Sequence, residues 1–251
     1  MSDNLLITTV LNKLKYLRYY LLLTIVFILG IYAQSNNLIA DFNNSFEDWI
    51  YLLQENIFII FVTGILAIVV GVGFGILMTR PKLVKFSEFI FQGFNIMAAI
   101  PTLAVLAITM TFIGIGFKAA FLGLVIVTIL PIVRNTYQGI LEVPDYLIEA
   151  AYGQGMTDNQ ILFQVQIPNA LFVIIAGIRT GFALNVGTSP LITLIAADSL
   201  GEFIFTGIDL NDFNSLLIGS ISVGIMAIIV DFIWLQVQYW IIPKGVNPLR
   251  N

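Results

Sequence analysis

The sequence predicts an all-α protein, a polytopic bundle of about six transmembrane helices. Composition is the first reason. Of the 251 residues, 59% are hydrophobic and only 10% are charged, whereas a soluble domain carries about 25% charged residues. The mean hydropathy is accordingly high, at +0.96. The second reason is that the apolar residues fall in separate runs, long enough to cross a hydrocarbon core of about 30 Å.

Residues 1–56 predict a cytoplasmic tail, a first span and an external loop. Residues 19–33 are apolar and follow three basic residues, which is typical of a transmembrane helix or a secretory signal. We favour an uncleaved helix, because Ile31 would occupy a position where cleavage requires a small residue. Residues 34–56 are polar and acidic and predict the loop, with a short interfacial helix over residues 49–53.

Residues 57–246 predict the main transmembrane domain, and residues 247–251 a cytoplasmic tail. Residues 57–78 carry no charge and would extend ~33 Å as a helix. Residues 86–114 predict a helix kinked at Gly93 or Pro101, and residues 118–133 the next span, with Pro131 near its end. Residues 169–188 follow, then a break at Ser189–Pro190, an acidic external segment over residues 198–212 and a last span over residues 213–242.

The distribution of basic residues predicts the orientation, because Lys and Arg in short loops resist translocation. With both termini in the cytoplasm, only Lys118 falls outside. The cytoplasmic side then receives Lys13, Lys15, Arg18, Arg80, Lys82, Lys85, Arg134, Lys244 and Arg250. This topology places the polar segment over residues 134–168 in the cytoplasm.

That segment predicts two short helices joined by a glycine bend. Pro144 suits the first turn of a helix that reaches Tyr152, and Gly153 and Gly155 stop it. Residues 157–160 have the Thr-x-x-Gln form of a capping box, which begins a second helix that Pro168 is expected to end.

Glu149-Ala150-Ala151, then Gly155, then Val165-Gln166-Ile167-Pro168 resemble the EAA motif of permeases in binding-protein-dependent ABC importers. In that family this loop docks in a cleft of the ATP-binding subunit. The resemblance therefore implies that the ATPase-coupling residues here are Glu149, Ala150, Ala151, Gly155 and Pro168.

The resemblance extends over residues 57–246. This part of the chain is similar to the osmoprotectant branch of these permeases, which moves glycine betaine, choline, carnitine or related compounds. The similarity rests on Ile100-Pro101-Thr102-Leu103 and on the runs LPIVRNTYQGI, AGIRTG and LGEFIFTGI, which begin at Leu130, Ala176 and Leu200. The chain departs from that branch at Ala196-Ala197-Asp198-Ser199, where a glycine-rich stretch is usual. An importer of amino acids or another small solute stays open as an alternative, and a secondary transporter is the rival class.

The missing residue types exclude other functions. The chain has no His or Cys, the usual ligands of zinc and haem, and no phosphate-binding GxxxxGK[ST] loop. We therefore expect a transport subunit that is not an enzyme and holds no cofactor, with ATP bound by a partner subunit. The expected partners are an ABC ATP-binding subunit, an extracytoplasmic solute-binding protein and a second permease copy or paralogue in a bacterial inner membrane, and not nucleic acid.

Polar residues at membrane depth are the candidate internal sites. Arg179 needs a partner there, and Asp231 is the acid well inside another apolar run, so we hypothesise an ion pair, either for packing or in the pathway. Candidate pathway residues are Asn95, Asn185, Thr188 and Ser189. Glycines 71, 73 and 75 predict tight helix packing.

Overall fold

The computed structural model describes residues 34–80 and 83–243, together with residues 24, 30, 31 and 245. The predicted first span, residues 19–33, therefore lies outside the described residues, except at positions 24, 30 and 31. So do all five basic residues of the two tails, Lys13, Lys15, Arg18, Lys244 and Arg250.

The described residues form helices joined by short turns. In chain order they are α1 (Leu38–Asn44), α2 (Phe46–Met78), α3 (Val84–Ala99), α4 (Thr102–Ile113), α5 (Phe117–Leu141), α6 (Asp145–Gly153), α7 (Asp158–Ile161), a π-helical turn (Leu162–Gln166), α8 (Ile167–Thr188), a 3-10 helix (Ser189–Ile195), α9 (Gly201–Asp209) and α10 (Phe213–Ile241).

Within the described residues, four helical segments are long and apolar enough to cross a membrane: α2, α5, α10 and the continuous stretch from Asp158 to Ile195. Helices α3 and α4 are together also long and apolar enough, but they are bent by 99° at a short break. The break falls at Ile100–Pro101, where both residues have extended backbone. Pro101 thus turns the predicted kink into two separate helices.

Helices are more extensive than the sequence predicts. The expected loop over residues 34–56 is largely helical, since Trp49 and Leu53 pack against the core while Glu47 and Asp48 favour the first turn of α2. The span expected to stop at residue 133 continues to Leu141, because its buried face continues. The acidic segment over residues 198–212 contains α9.

Pro168 does not end the second loop helix, which corrects the prediction. The π-turn Leu162–Gln166 precedes it and joins α7 to α8 without a break. The Ile167 amide donates to the Leu162 carbonyl, five residues back, so this wider turn accommodates the proline that an ordinary helix would not.

Helix α5 is the centre of the bundle and packs against glycines on both sides. A Cβ at Gly71 or Gly75 of α2 would lie within 3 Å of Ile132 or Thr136 side chains. A Cβ at Gly181 of α8 would lie 2.8 Å from the Thr128 carbonyl oxygen. The predicted glycine contact of α2 is therefore present at residues 71 and 75, whereas Gly73 faces open space.

The antiparallel spans give the bundle two ends. We call the end that carries α6 and α7 the loop end, and the opposite end, which carries α1 and α9, the acidic end. Helix α8 runs from the loop end to the acidic end, whereas α2 and α10 run the other way.

Candidate functional site: the loop helix and the adjacent cleft

Helix α6 presents one face outwards and packs the other against the bundle. Glu149 and Ala150 are exposed, as is Tyr146 one turn earlier. Ala151 is only 4% exposed, and Leu147 packs against the core cluster that contains Val143 and Ala170. Because residues three and four apart share a helix face, Glu149 and Ala150 belong to a surface available to another protein.

Gly155 makes the bend after α6 with positive φ, +79°. Its amide donates to the Tyr152 carbonyl at 2.9 Å, and the Met156 amide donates to the Ala151 carbonyl at 3.1 Å. These two bonds form a Schellman motif, which satisfies the last carbonyls of the helix. The predicted glycine bend is therefore a defined turn.

A capping box and a tyrosine tie the bend to α7. The Thr157 backbone N–H donates to the Gln160 side-chain Oε1 at 2.8 Å, and the Gln160 backbone N–H donates to Thr157 Oγ1 at 3.5 Å. The Tyr152 hydroxyl donates to Asp158 Oδ1 at 2.8 Å across the bend, and this hydrogen bond to a carboxylate raises the pKa of Tyr152. The loop is therefore an ordered unit with its own internal bonds.

The candidate coupling residues take different positions in this loop. Glu149 and Ala150 lie on the outward face of α6, and Ala151 lies on its inward face. Gly155 makes the bend, and Pro168 lies in the first turn of α8. The structure thus brings only Glu149 and Ala150 together on one exposed surface.

A cleft of about 790 Å³ lies beside the loop, between α3, α4, α5 and α8. Its wall is apolar towards Pro101 and Leu130. Polar side chains line the rest of it: Asn95, Thr102, Arg134, Asn135, Gln138, Glu142 and Thr180. Of the four candidate pathway residues, Asn95 is the one that lines this cleft.

The other three candidates are buried within the chain. Asn185 is fully buried and donates to Thr63 Oγ1 at 2.9 Å. Thr188 is 4% exposed, and Ser189 is fully buried and donates to the Val186 carbonyl at 3.0 Å. This placement favours a packing role, because none of the three reaches the cleft.

Sequence reasoning missed Asn56, which it assigned to the external loop. Asn56 is fully buried in α2. Its Nδ2 donates to Ser189 Oγ at 2.9 Å, and its Oδ1 accepts from the Leu200 amide at 3.2 Å. One side chain thereby fixes both ends of the irregular segment between α8 and α9. Its position next to the uncharged run 57–78 was the available signal.

Arg179 and Asp231 form the ion pair that we hypothesised. Nε lies 2.6 Å from Oδ1 and Nη2 lies 2.8 Å from Oδ2, a two-point contact between α8 and α10. The side chains remain 34% and 47% exposed and line a cavity of about 430 Å³. The pair is therefore only partly covered by its own chain.

The transport family follows from comparison with known proteins. Residues 71–245 match the family of binding-protein-dependent transport system inner membrane components. The chain belongs to this family. It is the inner-membrane, multi-pass permease subunit of an ABC importer, and its partners include an ATPase subunit and a solute-binding protein.

Among curated relatives, this permease is 48% identical over 184 residues to the osmoprotectant import permease protein OsmY of Salmonella typhimurium, covering 73% of this chain and 78% of that protein. It is 37% identical over 197 residues to the carnitine transport permease protein OpuCB of Listeria monocytogenes, covering 78% and 89% of the two chains. The relatives are permease subunits, so ATP hydrolysis belongs to a separate subunit.

Solved structures support the fold. The permease superposes on a chain of the inward-facing MetNI methionine ABC transporter with a TM-score of 0.67 and 24% identity, covering 76% of this chain and 94% of that one. It superposes on an amino acid ABC transporter with a TM-score of 0.68 and 16% identity, covering 80% and 97%. At these identities the likeness establishes the fold alone.

Proposed function

We propose that this permease imports small osmoprotectants that carry a quaternary ammonium group, such as glycine betaine, carnitine or choline. The observation that carries the proposal is the 48% identity to an osmoprotectant import permease over most of both chains. Residues 57–246 are the proposed transport domain, with residues 1–56 preceding it and residues 247–251 as a tail. The permease itself holds no cofactor, and ATP binds to the partner subunit.

The loop end faces the cytoplasm in this proposal, with both chain termini on that side. Charge supports it. Among the described residues, Arg80, Lys85 and Arg134 lie at the loop end and Lys118 lies at the acidic end. Cytoplasmic loops favour Lys and Arg. The acidic end, with Asp198 and the other carboxylates around α9, then faces the solute-binding protein.

The outward face of α6 is the proposed docking surface for the ATP-binding subunit. Glu149 offers a charge, and Ala150 allows another surface to approach closely. Because the Tyr152–Asp158 bond and the π-turn connect α6 to α8, a displacement of α6 would move α8 as well. A movement caused by ATP binding at the partner would thus be transmitted to the cleft, whose wall includes Thr180 of α8.

A second permease, as an identical copy or a paralogue, completes the transporter. The half-exposed Arg179–Asp231 pair supports this, since each charge facing lipid at the bilayer centre would cost about 2.5–3.5 kcal/mol. A second permease covering this face would shield the pair. The solute path would then run along the cleft that Asn95 lines, enclosed between the two permeases.

The test is uptake of labelled glycine betaine by the complete complex in proteoliposomes, with and without ATP. We expect ATP-dependent uptake by the wild type and its loss in Glu149→Lys, because that residue is exposed and its change leaves packing intact. Asn159→Lys is the control, since it places a lysine at another exposed position of the loop outside the motif and should retain uptake.

Two results would contradict the proposal. Uptake without ATP would indicate a secondary transporter. ATP-dependent uptake of amino acids but not of glycine betaine, carnitine or choline would agree with an ABC importer but refute the proposed substrate class.

A further inference from the structure

A small pocket opens from the cleft between α3 and α5. It has a volume of about 210 Å³ and is lined by Phe91, Asn95, Arg134, Tyr137 and Gln138. Three of these side chains, Asn95, Arg134 and Gln138, also line the larger cleft. The pocket is therefore a side chamber of the cleft, large enough for a small solute.

Two aromatic rings form one wall of this pocket. The centroids of Phe91 and Tyr137 lie 4.3 Å apart, with the ring planes tilted by 33°. The Tyr137 hydroxyl lies 2.7 Å from Ser87 Oγ, which fixes the orientation of the ring. Aromatic faces attract quaternary ammonium groups through the ring quadrupole, and they need no hydrogen-bond donor from the ligand.

Arg134 supplies a positive charge that can bind an anionic group. It is exposed within the pocket, and the single ion pair among the described residues is the one between Arg179 and Asp231. No hydrogen bond from its guanidinium to another described side chain is present either. A guanidinium binds a carboxylate through two parallel hydrogen bonds, and the amides of Asn95 and Gln138 stand beside it.

We propose that the pocket formed by Phe91, Asn95, Arg134, Tyr137 and Gln138 is a binding site for a small zwitterion with a trimethylammonium group at one end and a carboxylate at the other. The ammonium lies against the two rings and the carboxylate binds Arg134. This rests on the proposed function and narrows it, because choline carries the same ammonium group but has no carboxylate to pair with Arg134.

The pocket is lined by the helix that leads into the loop. Arg134, Tyr137 and Gln138 lie on one face of α5 within the last two turns of that helix. Helix α5 ends at Leu141, and α6 begins at Asp145. A zwitterion in the pocket therefore contacts the helix that leads directly into the proposed docking surface.

Direct binding to the permease–ATPase complex, in nanodiscs and without the solute-binding protein, tests the site. The probe is labelled glycine betaine, with carnitine and choline as competitors. We expect glycine betaine to bind, carnitine to compete and choline to compete poorly. Arg134→Gln should weaken glycine betaine binding by about tenfold or more and remove the discrimination against choline. Tyr137→Leu should weaken binding of both ligands.

Matched variants separate these effects from misfolding. Lys118→Gln removes a cation at the acidic end, and Phe232→Leu removes an exposed ring of α10; both should bind like the wild type. Tyr137→Phe keeps the ring and should retain most of the affinity.

Unchanged affinity in Arg134→Gln and Tyr137→Leu would overturn the proposal, as would equal binding of choline and glycine betaine by the wild type or no binding at all. ATP-dependent uptake by the complete transporter would, in each of these cases, leave the proposed function standing.

Discussion

Two segments connect successive spans of this permease, and they are built in opposite ways. The loop-end segment, residues 142–168, is mostly exposed. Most of its side-chain hydrogen bonds are local, such as the Tyr152–Asp158 contact, apart from a 3.4 Å bond that Arg80 donates to Gln166 at its end. The acidic-end segment, residues 189–212, is buried over much of its length. Asn56 binds it from more than a hundred residues away, at Ser189 and at Leu200.

The difference indicates different roles. A segment shaped by its own bonds can keep an outward face free, as α6 does with Glu149 and Ala150. A segment held by distant residues is fixed to the spans around it, and it closes the bundle at that end. Substitutions in the acidic-end segment should therefore affect the stability of the whole permease, whereas substitutions in the loop should have local effects.

The largest expected effect is that of Gly201→Ala in the acidic-end segment. A Cβ at Gly201 would lie 1.9 Å from the Pro190 carbonyl oxygen, so the backbone of the 3-10 helix would have to move. Overpacking of this kind costs on the order of 3 kcal/mol. We expect a clearly lower midpoint of thermal unfolding for the purified permease in detergent.

Gly224→Ala in α10 is the matched control, because a Cβ there meets nothing within 4 Å. Alanine is the better helix former by about 1 kcal/mol, so this variant should unfold at the same or a higher temperature. Equal midpoints for Gly201→Ala and the wild type would refute the rigid packing of the acidic-end segment.

The two segments also differ in how far the sequence predicts them. The short helix, the glycine bend and the capping box at Thr157 are encoded in neighbouring residues, and all three are present. The role of Asn56 depends on Ser189 and Leu200, and a polar residue looks the same in a sequence whether it is exposed or buried in a hydrogen-bond network. Whether such a residue is exposed or buried depends on partners that are distant in the sequence.

Proline and acidic patterns misled the prediction for a related reason. Pro131 and Pro168 both suggest helix ends, but packing beyond Pro131 and the π-turn before Pro168 keep the helices continuous. In the candidate site, the Arg179–Asp231 contact was predicted and is present, whereas the coupling role of Glu149 and Ala150 stays a prediction. The pocket around Tyr137 was not, because α3 and α5 meet there only in the folded chain.

Gly155→Ala should have a smaller, local effect in the loop-end segment. A Cβ has open space there, but the φ of +79° disfavours a side chain by about 1 kcal/mol. We expect faster hydrogen exchange, by roughly fivefold, at the amides of residues 155 and 156. Mass spectrometry of peptides from this segment measures it, and the unfolding midpoint should hardly change.

Gly153→Ala separates backbone strain from added volume. Gly153 is helical and equally open, so alanine there should leave exchange unchanged or slow it. Faster exchange in both variants would mean that crowding, and not the positive φ of Gly155, sets the stability of the bend.

The smallest expected effect concerns Asp212, where the acidic-end segment also uses a local bond. Its carboxylate caps α10 by accepting hydrogen bonds from the Asn214 and Ser215 amides. The Ser215 hydroxyl bond is the main cause that lowers the pKa of Asp212. Because the folded-state pKa lies below the unfolded one, the stabilisation is fully present above the ordinary aspartate pKa of about 3.9 and is lost as pH falls through the folded value.

Asp212→Ala should therefore cost about 1 kcal/mol at neutral pH and progressively less at acidic pH. Asp212→Asn keeps a capping side chain that does not titrate, so its stability relative to the wild type should improve as pH falls from about 5 to about 3. Unfolding midpoints of the three proteins across that range provide the measurement. A pH-independent difference between wild type and Asp212→Asn would mean that the cap acts through geometry alone and that its charge contributes nothing to holding the start of α10.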